Sequence, residues 1–245
     1  MSPKLLIAIP YYNGDRDKAL SLAGLITAIE PAFRDDVEIC FVPRLDAIPP
    51  TPLEMKPLMR KFSSVHWYLT QSPDVGHPKG SNGQARDFFN EAQRRYFHGE
   101  WRHIEAILYL EPDSVPIARD WINQLMREWA FGKKYAQAYV VGCFRSEGVD
   151  VPHINGVALY APDVAHRFDF SVTKGTLGWD SAMAEQFSQA WMKTSLISNL
   201  WKETNVPDER FQSNPFTPKG TPPPVLIHGV KDGSALNYAK KILSL

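Results

Sequence analysis

Apolar positions along this chain alternate between short unbroken runs and longer stretches with helical spacing. The first run, residues 5–9, stops at Pro10, which predicts a strand giving way to a loop over 11–14. Ala19, Leu22, Ala23, Ile26 and Ile29 then recur at the intervals of one helix face, with Asp15 or Asp17 at its start. Runs over 37–42 and 65–69 predict two more strands. Between them Pro43, Pro49, Pro50, Pro52 and Pro57 predict an irregular connection. The segment 72–83 is dense in turn-forming residues and leads into a helix with Ala85, Phe88, Phe89, Ala92 and Tyr96 on one face. Residues 104–110 read as a central buried strand. Farther on, Trp121, Leu125 and Trp129 outline a helix. Strands are predicted over 138–144 and 156–160, a helix over 181–192, a polar, proline-rich loop over 205–224, and a last short strand over 225–227.

Strand and helix alternate through the first half, which predicts an α/β architecture with a mostly parallel, Rossmann-type sheet covered by helices. The second half reads as a smaller mixed region of strands and helices. With 245 residues and 44% hydrophobic content the chain is long enough for one large domain, 1–245. The 27 basic and 27 acidic residues cancel, which argues against a uniformly basic nucleic-acid surface and leaves room only for a local patch. Cys40 and Cys143 lie in apolar stretches, as buried free thiols do, and match no disulfide framework or zinc site. The opening apolar run is too short for a signal peptide, and no run reaches the roughly 18 residues that span a bilayer. These features predict a cytoplasmic protein without a membrane span, in the host cytoplasm if a phage encodes it.

The strongest chemical signal is ILYLEPDS, residues 107–114. An apolar strand ends abruptly in Glu111 and Asp113 around Pro112, at the edge where open α/β sheets bind ligands. Alternate residues of an extended backbone point the same way, so both carboxylates can face one ion, and such oxygens suit Mg²⁺ or Mn²⁺. The competing reading is an acid pair capping the helix at Trp121. A second signal is IHGVKDG, where His228 offers an imidazole, Gly229 a close backbone approach and Lys231 a positive charge for phosphate; a solvated turn would look similar. In GHPKGSNGQARD, Lys79 and Arg86 bracket two glycines, with Ser81 and Asn82 as candidate helix caps, a setting that suits an anion. In PYYNGD, Pro10, Tyr11, Tyr12, Asn13 and Asp15 follow the first strand; Tyr11 can stack on a base, and Asp15 can bind a base or ribose. Asn155 and Gly156 precede a strand. Asp180, beside Trp179, is either a general base with an aromatic platform or a helix cap.

Taken together, in order and spacing over most of the chain, these motifs resemble nucleotide-sugar glycosyltransferases of the GT-A fold, in the manner of the large family-2-like group. PYYN resembles that family's nucleotide-binding start, and GSNGQARDFFNEA followed by AILYLEPDS resembles its helix and acidic metal motif. The usual first aspartate is Glu111 here. The resemblance implies a sugar donor linked to a nucleotide diphosphate, expected to be UDP. The first half, about 1–115, would bind the nucleotide. The second, about 116–245, would bind the acceptor and supply the C-terminal metal and diphosphate loop. It further implies that Asp113 and His228 hold Mn²⁺ or Mg²⁺, with Glu111 acting through water, and that Asp180 is the base of an inverting transfer. Pro10, Tyr11, Tyr12, Asn13, Asp15, Lys79, Arg86, Glu111, Pro112, Gly229 and Lys231 would bind the donor. Asn155, Gly156 and Trp179 would meet the acceptor: a glycan, a small molecule, or a hydroxylated DNA base flipped from its stack. For DNA, the cation pairs Arg60–Lys61, Arg94–Arg95 and Lys133–Lys134 would meet phosphates. The alternatives are a nucleotidyltransferase and a non-catalytic module that binds nucleotide sugars. A retaining transfer stays open if Asp180 lies far from the attacking oxygen, and the acceptor, the sugar, the nucleotide and the oligomeric state stay open too.

Overall fold

A computed structural model describes residues 4–73, 75–146, 149–174, 176–201, 203–212 and 221–245. Strand β1 (Lys4–Tyr11) is buried at every position after Lys4, as an unbroken apolar run requires. Parallel neighbours flank it: β2 (Arg34–Pro43), with Ile39 opposite Ile7, and β4 (Ile104–Tyr109), with Leu108 opposite Ile7. Strand β3 (Phe62–Trp67) lies parallel beyond β2. On the other side β7 (His153–Tyr160) runs antiparallel to both β4 and β6 (Val140–Arg145), and β8 (Trp191–Lys193) lies parallel to β6. The seven-stranded order is β3-β2-β1-β4-β7-β6-β8. A three-stranded sheet joins β5 (Ser114–Pro116), β10 (Leu226–His228) and β9 (Ile197–Asn199).

Helices cover both faces, and β1 shows why. Its alternate side chains Leu5, Ile7 and Ile9 pack with α1 (Arg16–Ile29) and α4 (Trp121–Phe131), while Leu6 and Ala8 face α3 (Lys79–Phe97) through Phe88 and Phe89. Shorter helices are α2 (Pro52–Met59), α5 (Val164–Arg167), α6 (Trp179–Ala182), α7 (Ala184–Phe187) and α8 (Asp208–Phe211), and α9 (Ser234–Leu243) ends the chain. Among the described residues no helix is long and apolar enough to cross a membrane. Both cysteines are buried free thiols, and burial pushes that of Cys40 up to about 12.

Local expectations change at five places. Pro10 does not end β1, because its missing N–H falls on the side of β4, which has already stopped at Tyr109. The proline-rich connection contains α2, started by a capping box between Thr51 and Glu54 with Pro52 in the first turn, where its lost donor costs nothing. The helix expected over 181–192 breaks up, because Trp191 and Met192 are drawn into β8 against Val140 and Val141. Helix α9 was not anticipated, although Ala235, Tyr238, Ala239 and Leu243 carry its apolar stripe. Of the loop expected over 205–224, residues 213–220 lie outside the described residues, and Asp208–Phe211 is helical.

Candidate active site and metal centre

Strand β4 ends at Tyr109, and the chain turns at once, with the Ser114 N–H donating to the Glu111 carbonyl at 3.0 Å. This turn, not an extended backbone, brings the Glu111 and Asp113 carboxylates together. The small sheet supplies the third group. Because β5 pairs with β10, Ser114 lies opposite His228, one residue beyond Asp113. His228 Nε2 is 3.0 Å from Glu111 Oε2 and 3.2 Å from Asp113 Oδ1, and the candidate ligand atoms of the three residues all lie within 4.8 Å of one another. Lys231 Nζ is 3.8 Å from Asp113 Oδ2. Gly229 closes the turn at φ +90°, where a Cβ would sit 2.8 Å from Trp201 Cα, so only glycine fits.

The electrostatics follow from this crowding. Burial disfavours a charged His228, but the hydrogen bonds it donates to the two acids, with their charge, outweigh burial and push the imidazole up to about 10. Burial likewise works against an ionised Asp113, yet His228 and Lys231 hold its carboxyl below the usual range. The imidazolium proton thus balances two adjacent acids. A divalent cation would do the same with more charge, and two carboxylates with one imidazole form a donor set suited to Mn²⁺ or Mg²⁺. The Nδ1 atom of His228 is buried without a hydrogen-bond partner among the described residues, so Nε2 is the ring atom turned to the cluster.

The acceptor-side residues arrive on β7. Since that strand is reversed, its beginning lies at the carboxyl edge of the sheet, beside Glu111. A Cβ on Gly156 would stand 3.3 Å from Glu111 Oε1 and 3.0 Å from Trp179 Cζ2. Trp179 is only 4% exposed and packs on Phe89, Tyr109 and Tyr160, so it is a wall behind Gly156 and not the open platform expected. Asn155 is buried too, its Oδ1 accepting from Val157 N at 3.1 Å. Asp180 lies in the first turn of α6, whose N-cap is Gly178, and does not cap it. Its Oδ2 accepts from Gly156 N at 3.0 Å, its Oδ1 from Ser181 N at 2.9 Å, and His153 Nε2 stands 3.4 Å away. Burial raises the Asp180 carboxyl, but these donors, His153 first, bring it below its usual value.

His153 in turn is lowered by burial and raised more by Asp180, for a net rise. Its contribution to stability is fully present below the ordinary imidazole value and fades as pH climbs through the raised one. That of Asp180 is present above the ordinary carboxylate value and fades as pH falls through the lowered one. The variant His153→Gln is therefore expected to lose about 1–3 kcal/mol between those two ordinary values. Its unfolding curve should converge with that of the parent at high pH. An equal loss at all pH values would show that the contact is packing and not charge.

On the nucleotide side the expected residues separate. Tyr11 is 3% exposed, with its ring edge against Phe41 and its hydroxyl donating to Ile48 O at 2.9 Å, so it belongs to the core and cannot stack on a base. Its neighbour Tyr12 is half-buried and lies under the Arg44 guanidinium at 5.2 Å. Asn13 clips the loop to Asp46 and Ile48. Asp15 stands at the N-cap position of α1, but its side chain pairs with Lys18 at 2.7 Å and makes no capping hydrogen bond. Pro112 sits within the turn that joins the two acids. Lys79 and Arg86 line a separate hollow with Ser72 and Gly83, and Arg86 contacts Asp87 at 3.3 Å. Ser81 and Asn82 lie inside α3 and do not cap it. Asn82 Nδ2 donates to Leu177 O, tying α3 to the segment before Asp180. The cation pairs proposed for phosphates are engaged locally: Arg94 and Arg95 with Glu91, Lys61 with the Glu30 carbonyl, Lys133 over Tyr139, and Lys134 over Tyr135.

Four residues escaped the sequence reading. Arg44 and Gln84 are buried polar groups linked at 3.3 Å, and Gln84 Nε2 also donates to Tyr11 O and Val42 O. A cation directly after the apolar strand FVPR was the available signal, the same kind that marked Glu111. His153 and Arg145 carried no local signal, because their partners lie far along the chain.

No protein-family model matches the sequence, and no curated protein does. Solved structures do. Mouse xyloside xylosyltransferase 1 in its apo form aligns over 94% of this chain and 98% of its own, with a TM-score of 0.54 and 11% identity. The galactosyltransferase LgtC in complex with donor and acceptor sugar analogs aligns over 98% of this chain and 96% of its own, with a TM-score of 0.56 and 11% identity. The glycosyltransferase GlyE of Streptococcus pneumoniae TIGR4 aligns over 99% of this chain and 63% of its own, with a TM-score of 0.53 and 10% identity. The chain therefore has the GT-A fold of nucleotide-sugar glycosyltransferases.

Proposed function

We propose that this protein is a metal-dependent glycosyltransferase that moves a sugar from a nucleotide-diphosphate donor, UDP-linked, to an acceptor hydroxyl with inversion. The observation that carries this reading is the convergence of Glu111, Asp113 and His228 at the carboxyl edge of a GT-A sheet. Asp113 and His228 would hold Mn²⁺ or Mg²⁺, with Glu111 beside it, and the ion would neutralise charge on the leaving diphosphate. Lys231 adds a positive charge at the same place. Tyr12, backed by Arg44, offers the half-exposed ring for the base.

Asp180 then serves the acceptor. Ionised and held by backbone N–H groups, it keeps one lone pair of Oδ1 for the proton of the attacking hydroxyl. His153, bonded to Val151 O at 2.6 Å and to Asp180, is a positioning residue. The first half and the C-terminal turn form the donor side, and β7 with α6 forms the acceptor side of one unit. Zero net charge and locally neutralised arginines favour a glycan or small-molecule acceptor over DNA.

The test is donor hydrolysis without acceptor. The purified protein is incubated with UDP-, GDP- and dTDP-sugars and Mn²⁺, and release of free sugar is followed. Slow, chelator-sensitive hydrolysis of a UDP-sugar is expected. No turnover and no thermal shift with any donor would leave a non-catalytic module, and pyrophosphate release from a nucleoside triphosphate would mark a nucleotidyltransferase.

A further inference from the structure

A cavity of about 120 Å³ lies between the two flanks of the site, lined by Cys143, Phe144, Arg145, Asn199, Trp201 and Glu203. On one flank Asn199 is the register partner of His228, and the Trp201 backbone is what a Cβ on Gly229 would strike. On the other, Arg145 is the register partner of His153, which holds Asp180. The cavity therefore borders both the metal cluster and the carboxylate assigned to the acceptor.

Two of its polar groups lack a counterion or an acceptor among the described residues. The Arg145 guanidinium lies over the Trp201 ring at 4.5 Å, and among the described residues no carboxylate is within ion-pair distance of it. Glu203, the one acid among the described lining residues, is taken by Arg210 at 2.9 Å, and Asp180 acts on Arg145 only at longer range. Loss of water weakens the charged form of Arg145. Beside it, Asn199 Oδ1 accepts from Trp201 N at 3.1 Å, while Nδ2 is buried with no hydrogen-bond partner among the described residues. A partly desolvated cation without a counterion and an amide donor without an acceptor both carry a cost, and one oxygen anion relieves both. Stacking on Trp201 presents the planar fork for two-point contact with such an anion.

We propose that this cavity selects acceptors carrying an anionic group, a carboxylate or phosphate on a sugar, which Arg145 and Asn199 bind. The proposal rests on the glycosyl-transfer reading and adds the chemistry of its acceptor. The donor diphosphate has its own cations at Asp113, where Lys231 stands; Arg145 lies on the strand that faces His153.

The experiment measures binding by calorimetry of glucuronate, glucose 6-phosphate and glucose, and separately of Mn²⁺ with UDP, to the full chain and to Arg145→Gln. At least one anionic sugar should bind the parent protein roughly tenfold or more tighter than glucose, and whichever arm wins separates carboxylate from phosphate. Arg145→Gln should erase that preference and leave the affinity for Mn²⁺ with UDP within about twofold. Equal binding of all three sugars to the parent protein overturns the proposal, and so does an equally weakened affinity for UDP in the variant, which would give Arg145 to the donor. Failure of the parent protein to bind Mn²⁺ with UDP, with the preference intact, would sink glycosyl transfer and keep the anion site.

Discussion

Asp113→Ala is expected to reduce metal-dependent donor turnover by roughly 10³-fold, about 4 kcal/mol of transition-state stabilisation. Asp113 is the acid with the most to lose. Its side chain is 17% exposed against 36% for Glu111, and it contacts both His228 and Lys231. Removing it takes away one candidate ligand and the group that draws Lys231 toward the cluster. Glu111→Gln should cost only about tenfold, because Glu111 stands nearer to solvent and, among the described residues, has its ion pair with His228 only. Both variants should fold, since His228 Nε2–H keeps a carboxylate or amide oxygen in reach. The measurement is donor hydrolysis across a Mn²⁺ titration, and near-parental turnover in Asp113→Ala would remove the metal argument.

Asp180→Asn should lower transfer by roughly 10²–10⁴-fold while leaving donor affinity unchanged. The change is not silent for the fold. An amide has one acceptor oxygen, yet both Gly156 N and Ser181 N donate to this side chain, so one N–H would meet an NH₂ group. That conflict should cost about 1–3 kcal/mol in a denaturation experiment, which must be separated from the rate effect by working well below the melting temperature. The parent protein gives an independent check. The donors around Asp180 hold it below the ordinary carboxylate value, so its basic form survives as pH falls until that lowered value is reached. Activity should stay level from neutrality to the ordinary carboxylate value. Unchanged transfer in the variant, or an acid limb near neutrality, would move the base role elsewhere.

The parts of this molecule legible in the sequence are those where one local rule decides. β1, β2 and β4 are runs too apolar to lie anywhere but inside, and the faces of α1 and α3 repeat at helical intervals. Glu111 and Asp113 stood out because charge at the end of a buried strand needs a partner. His228 could be named but not placed, since it reaches the acids only through the β5–β10 register. What stayed hidden depends on contacts across long separations. Tyr11 and Trp179 were expected to face a ligand, and both are consumed by packing on Phe41 and Phe89. Nothing near position 153 or 145 announces Asp180 or Trp201 as its neighbour. The short segments α6, α7 and β8 obey no single periodicity, because the sheet edge overrides the helical spacing there.

The reversal of β7 has a consequence for how such a scaffold can diversify. The chain leaves the sheet at β6 and re-enters it as the neighbouring strand, so the connection between 145 and 153 begins and ends at the same rim. Insertions there would alter what the rim admits without displacing β1, β2 or the acidic turn. On the glycosyl-transfer reading, loop exchange at this hairpin would be a route to new recipients for the same transferred sugar, open to engineers as it is to selection.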